Sequence, residues 1–332
     1  MELTYTDTSW ADLGLLDVVT SDFAWGVDEN DFEIVLAKPS GVPQVGSLVY
    51  DESGIIGGLV RGYESEYETD VLRVTGDTWT GVLDRFVLKP PPGSAYYSVS
   101  GTMKACVQSL LTRLGVGWLF TVSNATTGIT VSHTFKGNRT DSTQSDSGRY
   151  MNGWDALWQL VSDNGCKASF AYDAAARKVV ITVSAARDWT DAESIDAGIA
   201  SVNVSNSKPV NHLVCLGAGE GAARTVIDLY ADSSGNVSGV QTQSGKDEIA
   251  DVYDFSSSDD LTADGTKKLK ELWNAAQEVK VAITEDVGIE VGDKVGGTDV
   301  KTGVYAEAII TKKVISQDGA STSVSYESTI RG

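Results

Sequence analysis

The segment from Asn211 to Arg224 carries the residue types and spacing that come nearest to a chemical motif in this chain. It contains His212, one of two histidines, and three residues that match a dinucleotide-binding fingerprint. Gly217, Gly219 and Ala222 fill the G-x-G-x-x-G/A positions after an apolar strand. A pyrophosphate bound there would need a helix directly after the glycines, because free N–H groups at the helix N-terminus hold the phosphates.

The residues after these glycines predict a hairpin and not a helix. Arg224 to Asp232 is β-branched and aromatic, Ser233 to Asn236 is typical of a turn, and Val237 to Gln243 alternates polar and apolar residues. The glycines therefore favour a sharp bend between strands. We expect no cofactor and no cofactor-binding residue in this segment.

The rest of the chain offers no catalytic or metal-binding pattern. His133 and His212 lie outside H-E-x-x-H and away from other candidate metal ligands, and the chain lacks both a G-x-S-x-G elbow and a P-loop. The acidic clusters at 28–31 and 259–260 are typical of solvated loops and helix N-termini. The segment Asp232–Asn236 lacks the ligand spacing of a calcium loop and predicts a hairpin turn. We predict no catalytic and no metal-binding residues.

The composition of the 332 residues, 41% hydrophobic and 22% charged, is that of a globular protein. The N-terminus lacks the apolar segment of a signal peptide, and no apolar run approaches the ~20 residues needed to cross a bilayer. Three widely spaced cysteines predict buried, reduced thiols in a protein made in a cytoplasm. The formal net charge of −20 disfavours binding to nucleic acid and to anionic membranes.

The order of the patterns predicts a mainly β chain with an α+β insertion. Short strands fill the first 92 residues, up to three consecutive prolines that form a rigid boundary. Between 93 and 196, helices are predicted over Thr102–Leu114 and after the capping residue Asn152, with Trp154 and Trp158 in the core. Two hairpins are predicted there, pairing 119–122 with 129–132 and 168–172 with 178–183. From 197 the chain is β again, interrupted by a helical stretch over 262–279.

One short pattern occurs twice. Val45-Gly46-x-x-Val49 returns as Val291-Gly292-x-x-Val295, and in both places a β-branched strand and a further strand follow. The matching order of elements indicates a duplicated barrel.

Several of these segments resemble one family. The run from Val74 to Pro90 resembles a stretch of the baseplate hub or tail-tip proteins of long, non-contractile-tailed bacteriophages, which are related to the N-terminal module of tail-associated lysins. The Trp154 helix with Gly165 is similar to the inserted α+β domain of that family. Asn211–Arg224 resembles the start of its second barrel, and residues 291–296, 309–314 and 323–327 resemble its closing strands.

The resemblance implies two tail-tube-like β-barrels per chain and a structural role. The first barrel would span 1–92, the inserted α+β domain 93–196, and the second barrel 197–332, with a helical insertion at 258–279. A homotrimer would form a six-barrel ring in the virion tail tip or baseplate. Its partners would be a distal tail or tail-tube ring, the tape-measure protein and a fibre or receptor-binding protein. DNA would pass through the ring without specific binding, past carboxylates that repel phosphates.

Two other functions stay open at this point. Lysin members of the family continue into peptidase or other extensions, whereas this chain ends at Gly332, and we therefore expect no enzymatic activity. A cell-wall hydrolase that cleaves glycan or peptide is the first alternative, because carboxylate pairs in space are not visible in a sequence. A carbohydrate-binding adhesin is the second.

Overall fold

The computed structural model describes residues 1–37, 41–65, 71–136, 149–190, 200–256, 258, 260–283, 288–298, 301, 303 and 305–330. The prediction of a mainly β chain is confirmed. The α-helices of the described residues are α1 Trp79–Asp84, α2 Met103–Leu114, α3 Gly153–Ser162 and α4 Leu261–Ala275. The strands are β1 Leu3–Thr6, β2 Asp12–Leu15, β3 Val18–Gly26, β4 Asp31–Ala37, β5 Leu48–Asp51, β6 Gly57–Ser65, β7 Val71–Thr78, β8 Val87–Leu88, β9 Tyr97–Thr102, β10 Phe120–Val122, β11 Thr130–Phe135, β12 Met151–Asn152, β13 Cys166–Asp173, β14 Lys178–Ala185, β15 Asp188–Trp189, β16 Ala200–Asn206, β17 His212–Leu216, β18 Val226–Ala231, β19 Val237–Ser238, β20 Ala250–Asp254, β21 Gln277–Ile283, β22 Lys294–Thr298, β23 Tyr305–Asp318 and β24 Ser321–Ile330.

An eleven-stranded sheet joins the two ends of the chain. Its strands follow the order β15-β22-β23-β3-β4-β7-β6-β5-β1-β2, and β24 pairs with β23 beside this path. The N-terminal and C-terminal strands meet where β3 pairs antiparallel with β23, with Phe23 opposite Ile315. Alternate residues of β4, Phe32, Ile34 and Leu36, are buried on one face, as the period of a half-buried strand requires.

The helices predicted in the α+β region are confirmed. The Thr102 hydroxyl accepts the N–H of Ala105 at the start of α2, and Gly115 ends that helix with a φ of +74°. The Asn152 side chain caps α3 by accepting the N–H of Asp155 at 2.7 Å. Trp154 is buried in the core and Trp158 packs against it, as predicted.

One of the two predicted hairpins is wrong. β13 and β14 form the hairpin expected of residues 168–183. The other prediction paired 119–122 with 129–132, but β10 pairs parallel with β14 and β11 pairs antiparallel with β9. The turn residues between β10 and β11 indicate only that the chain changes direction, and the partner of each strand is decided by packing on α2 and α3.

A single hydrophobic core extends across the boundary predicted at residue 92. Leu48, Leu59 and residues of α1 such as Trp79 and Leu83 pack in the same core as α2 and α3. Helix α1 lies inside the family-like segment Val74–Pro90 and is absent from the sequence prediction. The boundary predicted between 196 and 197 lies outside the described residues.

The described residues between 207 and 276 form a small unit of their own, here called the inserted module. The module sits at the tip of the antiparallel ladder between β16 and β21, and the N–H of Ser207 donates to the carbonyl of Ala276 at 2.8 Å to close it. It contains the sheet β19-β18-β17-β20 and α4, which share a core around Leu213, Leu229 and Leu269. The predicted insertion, a helix alone, is therefore too small.

Two sequence predictions within this region need correction. The predicted helix over 262–279 ends at Ala275, and residues 277–279 belong to β21 because they complete the ladder with β16. Asn211–Arg224, predicted to start a second barrel, lies in the inserted module and outside the eleven-stranded sheet.

Candidate assembly surface

The repeated V-G-x-x-V pattern folds into the same turn twice. The N–H of Gly46 donates to the carbonyl of Val60 at 2.9 Å, and the N–H of Val60 returns a bond to Ser47 at 2.9 Å. In the second copy, the N–H of Gly292 donates to Ile310 at 2.8 Å, and Ile310 returns a bond to Asp293 at 2.9 Å. The two glycines have φ values of +91° and +99°. The hydrogen bonds and the φ angles of the two glycines therefore match between the two copies.

The strands after the two turns share a β-bulge as well. The ladder between β6 and β7 shifts register between Val60 and Gly62, and the ladder between β23 and β24 shifts between Ile310 and Lys312. The extra residue follows the hydrogen-bonded strand residue directly in both copies. We call β5–β7 and β22–β24 the first and second strand units.

The two strand units are preceded by equivalent hairpins. β3 and β4 pair antiparallel before the first unit, and β16 and β21 pair antiparallel before the second. β4 pairs with β7, and β21 contacts β24 in the corresponding place. The inserted module thus occupies the position that the short turn after β3 has in the first copy.

The second strand unit is joined to the first hairpin along β3. The N–H of Val27 donates to the carbonyl of the bulge residue Thr311 at 2.8 Å, and Lys312 Nζ lies 2.9 Å from Glu29 Oε2. The Cβ of an alanine at Gly26 would lie 2.3 Å from the carbonyl oxygen of Thr311, so the two strands meet here without room for a side chain.

Among the described residues, the equivalent edges elsewhere are not hydrogen-bonded to a second strand, although β16 contacts β22. The second half of β6, Arg61–Ser65, pairs with β7 alone among the described residues, and we call it the β6 edge. β16 pairs with β21 alone within the same part of the chain, and we call its other side the β16 edge. Tyr63 on the β6 edge is 54% exposed. Unpaired strand edges are templates for pairing with another chain.

A buried ion pair fastens the α+β region to the second strand unit. Asp293 is fully buried, and Lys167 Nζ on β13 lies 2.6 Å from its Oδ2. The same carboxylate accepts the N–H groups of Arg187 at 2.8 Å and Glu290 at 3.0 Å. Three residues thus donate to the two oxygens of Asp293, so this buried polar group has hydrogen-bond partners inside the protein.

The glycine segment lacks the helix that a dinucleotide site requires. After β17 the chain makes a single 3₁₀ turn over Gly221–Ala223 and continues into β18, which pairs antiparallel with β19. Gly219 adopts a φ of +102°, so it needs glycine for the bend itself. The prediction of strand, turn and strand is confirmed.

His212 is held between two carboxylates on the inserted module. Its Nδ1 lies 2.7 Å from Glu248 Oε1 and its Nε2 lies 2.8 Å from Asp228 Oδ1, while its ring stacks on Tyr230. Burial works to lower the pKa of His212, but the hydrogen bonds and charges of Asp228 and Glu248 together raise it above the usual value. Both ring nitrogens face acceptors, which favours the doubly protonated imidazolium. The arrangement connects β17 to β18 and to Glu248, which lies two residues before β20.

In the part of the chain that the structure describes, the acidic segments lie in turns and at the N-terminus of a helix. Asp232 accepts the side-chain amide of Asn236 and the backbone N–H groups of Asn236 and Ser234. These hydrogen bonds lower its pKa, and the predicted hairpin turn is confirmed. Asp260 caps α4 by accepting the N–H of Ala263, whereas Asp259 lies outside the described residues. Residues 28–31 form the turn before β4 and its first residue.

The remaining candidate groups lie apart. His133 Nε2 is 3.2 Å from the Gln159 side chain, far in sequence and sheet from His212. Cys106, Cys166 and Cys215 are free and buried, as predicted, and burial raises the pKa of each thiol.

In the described ranges, no three His, Cys, Asp or Glu side chains are grouped so that they could hold a metal ion. None of the helices in those ranges is long and apolar enough to cross a membrane.

The sequence prediction missed the strand edges and the bulges. The V-G-x-x-V pattern identified the two turns, but Arg61 and Thr311 carry no residue-type signal because a bulge of this kind does not need glycine. Asp293 could have been identified from the sequence. It is a single carboxylate between Gly292 and an apolar strand, and a buried carboxylate in such a place is expected to have a partner of opposite charge.

Comparison with solved structures finds phage tail and baseplate proteins similar to this chain, the class that the resemblance of the sequence predicted. The 43 kDa tail protein of prophage MuSo2 from Shewanella oneidensis is 12% identical, with a TM-score of 0.49 over 99% of this chain and 98% of that chain. A prophage tail protein from Listeria monocytogenes is 12% identical, with a TM-score of 0.47 over 99% and 94%. A chain of the phage P2 baseplate in its activated conformation with Ca is 10% identical, with a TM-score of 0.48 over 98% of both chains. No protein-family model and no curated protein sequence matches the chain.

Proposed function

We propose that this chain is a structural hub at the distal end of a bacteriophage tail, where three copies form a ring that matches and closes the tail tube. The observation that carries the proposal is the duplication of one strand unit, with equal turns, bulges and preceding hairpins, inside a single chain. A duplicated unit gives each copy two equivalent contributions to a ring. Three copies then supply six, the number that a hexameric tube presents.

The junction between β3 and β23 supports side-by-side placement of the two units. It connects the second strand unit to the first hairpin through a continuous antiparallel ladder from Thr20 to Gly26. We infer that each unit, with its hairpin, belongs to one tail-tube-like barrel, the first within 1–92 and the second within 197–332. The α+β region at 93–196 and the inserted module would lie outside the barrels. The number of copies comes from the family resemblance of the sequence.

The proposed partners follow from a place at the end of the tail. The ring would contact a distal tail or tail-tube ring, the tape-measure protein, and a fibre or receptor-binding protein, and the chain would be part of the virion. The formal net charge of −20 supports passage of DNA through the ring without specific binding, because carboxylates repel the phosphate backbone.

Electron microscopy of the purified protein tests the proposal. We expect class averages of rings with three-fold symmetry and a central opening or plug, and end-on stacking of these rings on tail-tube rings when the tube protein is added. Particles of a single subunit that neither form rings nor bind a tube would contradict the proposal. A glycan array and a zymogram on bacterial cell walls, run on the same sample, would then identify an adhesin or a hydrolase.

A further inference from the structure

We propose that the β6 edge of one copy pairs with the β16 edge of a neighbouring copy, in the way that β23 pairs with β3 within one copy. This inference rests on the proposed function, for which it names the interface between subunits. The ligand of each edge is thus a second copy of this chain.

The first part of the argument concerns the β6 edge. In the second strand unit, the part of β23 after the bulge pairs with β24 on one side and with β3 on the other. In the first unit, the part of β6 after the bulge pairs with β7 on the corresponding side. Its other side has no partner among the described residues, although turn and bulge match those of the second unit.

The direction of the backbone groups on this edge follows from the same equivalence. The carbonyl of Thr311 accepts the N–H of Val27, so the bulge residue directs its carbonyl toward β3. Its counterpart Arg61 directs the corresponding carbonyl to the open side. Successive residues of an antiparallel strand direct their N–H and C=O groups to opposite sides. Tyr63 and Ser65, which lie two and four residues after Arg61, therefore direct theirs to the same side as the Arg61 carbonyl.

The second part concerns the β16 edge. β3 pairs with β4 on one side and with β23 on the other. Its counterpart β16 pairs with β21 and has no second hydrogen-bonded strand within the described part of the chain. Each copy therefore has one β6 edge and one β16 edge. The pairing of β23 with β3 inside the chain is the model for the pairing of these two edges between copies.

Pairing of unlike edges is a head-to-tail contact. Such a contact generates a closed ring when the rotation between copies closes, and an open filament when it does not. With two equivalent units per copy, the contact inside the chain and the contact between copies would alternate around the ring. The contact between copies would then repeat the kind of strand pairing that joins β23 to β3 within one copy.

Disulfide trapping tests the interface. A cysteine in place of Tyr63 is combined, one at a time, with a cysteine at each position from Val202 to Ser205, because cross-strand neighbours lie within disulfide range. The native cysteines are buried and do not compete. We expect at least one pair to give a covalent species of three subunits and nothing larger on a reducing-agent-free gel. In the control, the cysteine is introduced at Leu13 of β2 instead of at Tyr63. Leu13 is 57% exposed and lies at the far end of the sheet, so we expect no such species.

A proline variant tests the edge without cross-linking. Tyr63→Pro removes the N–H that faces the open side, and we expect self-association to weaken by roughly ten-fold or more. The control is Glu52→Pro, at the second position of the turn in which Gly54 donates to Asp51, where proline is favoured. Circular dichroism confirms that both variants fold.

The outcomes separate this inference from the proposed function. If three-subunit rings form but no pair cross-links more than the Leu13 control, the interface is wrong and the hub proposal stands. A ladder of covalent species beyond three supports the edge pairing and contradicts the closed ring. A protein that stays a single subunit in every sample overturns both.

Discussion

Gly46 and Gly292 occupy the same place in two copies of one backbone motif. Each has a φ near +95°, at +91° and +99°, and each donates its N–H to the strand residue just before a β-bulge. The repeated V-G-x-x-V pattern therefore encodes a repeated structure and not a chance identity. Glycine is required at both positions because other residues are strained at such φ values.

Alanine at the two glycines is expected to destabilise the protein unequally. Gly46→Ala adds the strain of a positive φ alone, since no atom lies within 4 Å of the added Cβ, and it should cost about 1 kcal/mol. Gly292→Ala adds the same strain, and its Cβ would also lie 2.9 Å from the Cβ of Lys167. Denaturant unfolding measures both free energies. An equal or smaller cost at Gly292 would contradict the described packing.

The junction of β3 and β23 is expected to be sensitive to one methyl group. Gly26→Ala would place a Cβ 2.3 Å from the Thr311 carbonyl oxygen, and backbone atoms cannot move aside as a flexible side chain can. We expect a loss of about 2 kcal/mol or more and a change in tryptophan fluorescence, because Trp154 Nε1 donates to the Gly26 carbonyl at 2.6 Å. The matched control is Gly117→Ala, which meets no atom within 4 Å and should be nearly neutral. Equal stability of the two variants would show that the strands are not this close.

Removal of the buried carboxylate of Asp293 is expected to cost several kcal/mol. Asp293→Ala leaves Lys167 as a buried charge without its partner, and the cost of breaking such a pair is about 3–5 kcal/mol. The control, Glu33→Ala, removes a half-exposed partner of Arg73 and should cost less than about 1 kcal/mol. Thermal unfolding of the two variants gives the comparison. If both lose the same stability, Asp293 does not fasten the α+β region to the second strand unit.

The stability of the inserted module is expected to fall as the pH rises. The folded state raises the pKa of His212, so the stabilisation is fully present below the unfolded value of about 6.5 and is lost as pH rises through the folded pKa. Amide hydrogen exchange of β17 and β18, corrected for its intrinsic pH dependence, measures this loss between pH 6 and pH 9. Asp228→Asn removes one of the two negative charges beside the ring and should reduce the difference. A module that is equally stable or more stable at pH 9 would refute the imidazolium between two carboxylates.

Local signals made part of this fold predictable. Thr102 and Gly115 bound α2, and Asn152 caps α3, because caps depend on residues a few positions away. Asp318 and Gly319 are likewise residue types typical of a hairpin turn, and they join β23 to β24. The duplication was visible because a positive φ restricts the residue type to glycine.

Non-local pairings were not predictable in the same way. β10 and β11 were predicted as a hairpin, but their partners are β14 and β9, chosen by packing on helices. The ladder between β3 and β23 joins opposite ends of the chain, where neither strand carries a mark of its partner. The extent of the inserted module, with its own core around Leu213, was missed because its strands have the same alternation as barrel strands.

Native mass spectrometry of the purified full chain tests the central claim most directly. Pairing of the β6 edge with the β16 edge, together with the three copies that the family resemblance implies, predicts a closed assembly of three subunits, which Tyr63→Pro shifts toward single subunits while Glu52→Pro does not. A wild-type protein that remains a single subunit at micromolar concentration, or that forms only assemblies of other sizes, would contradict it.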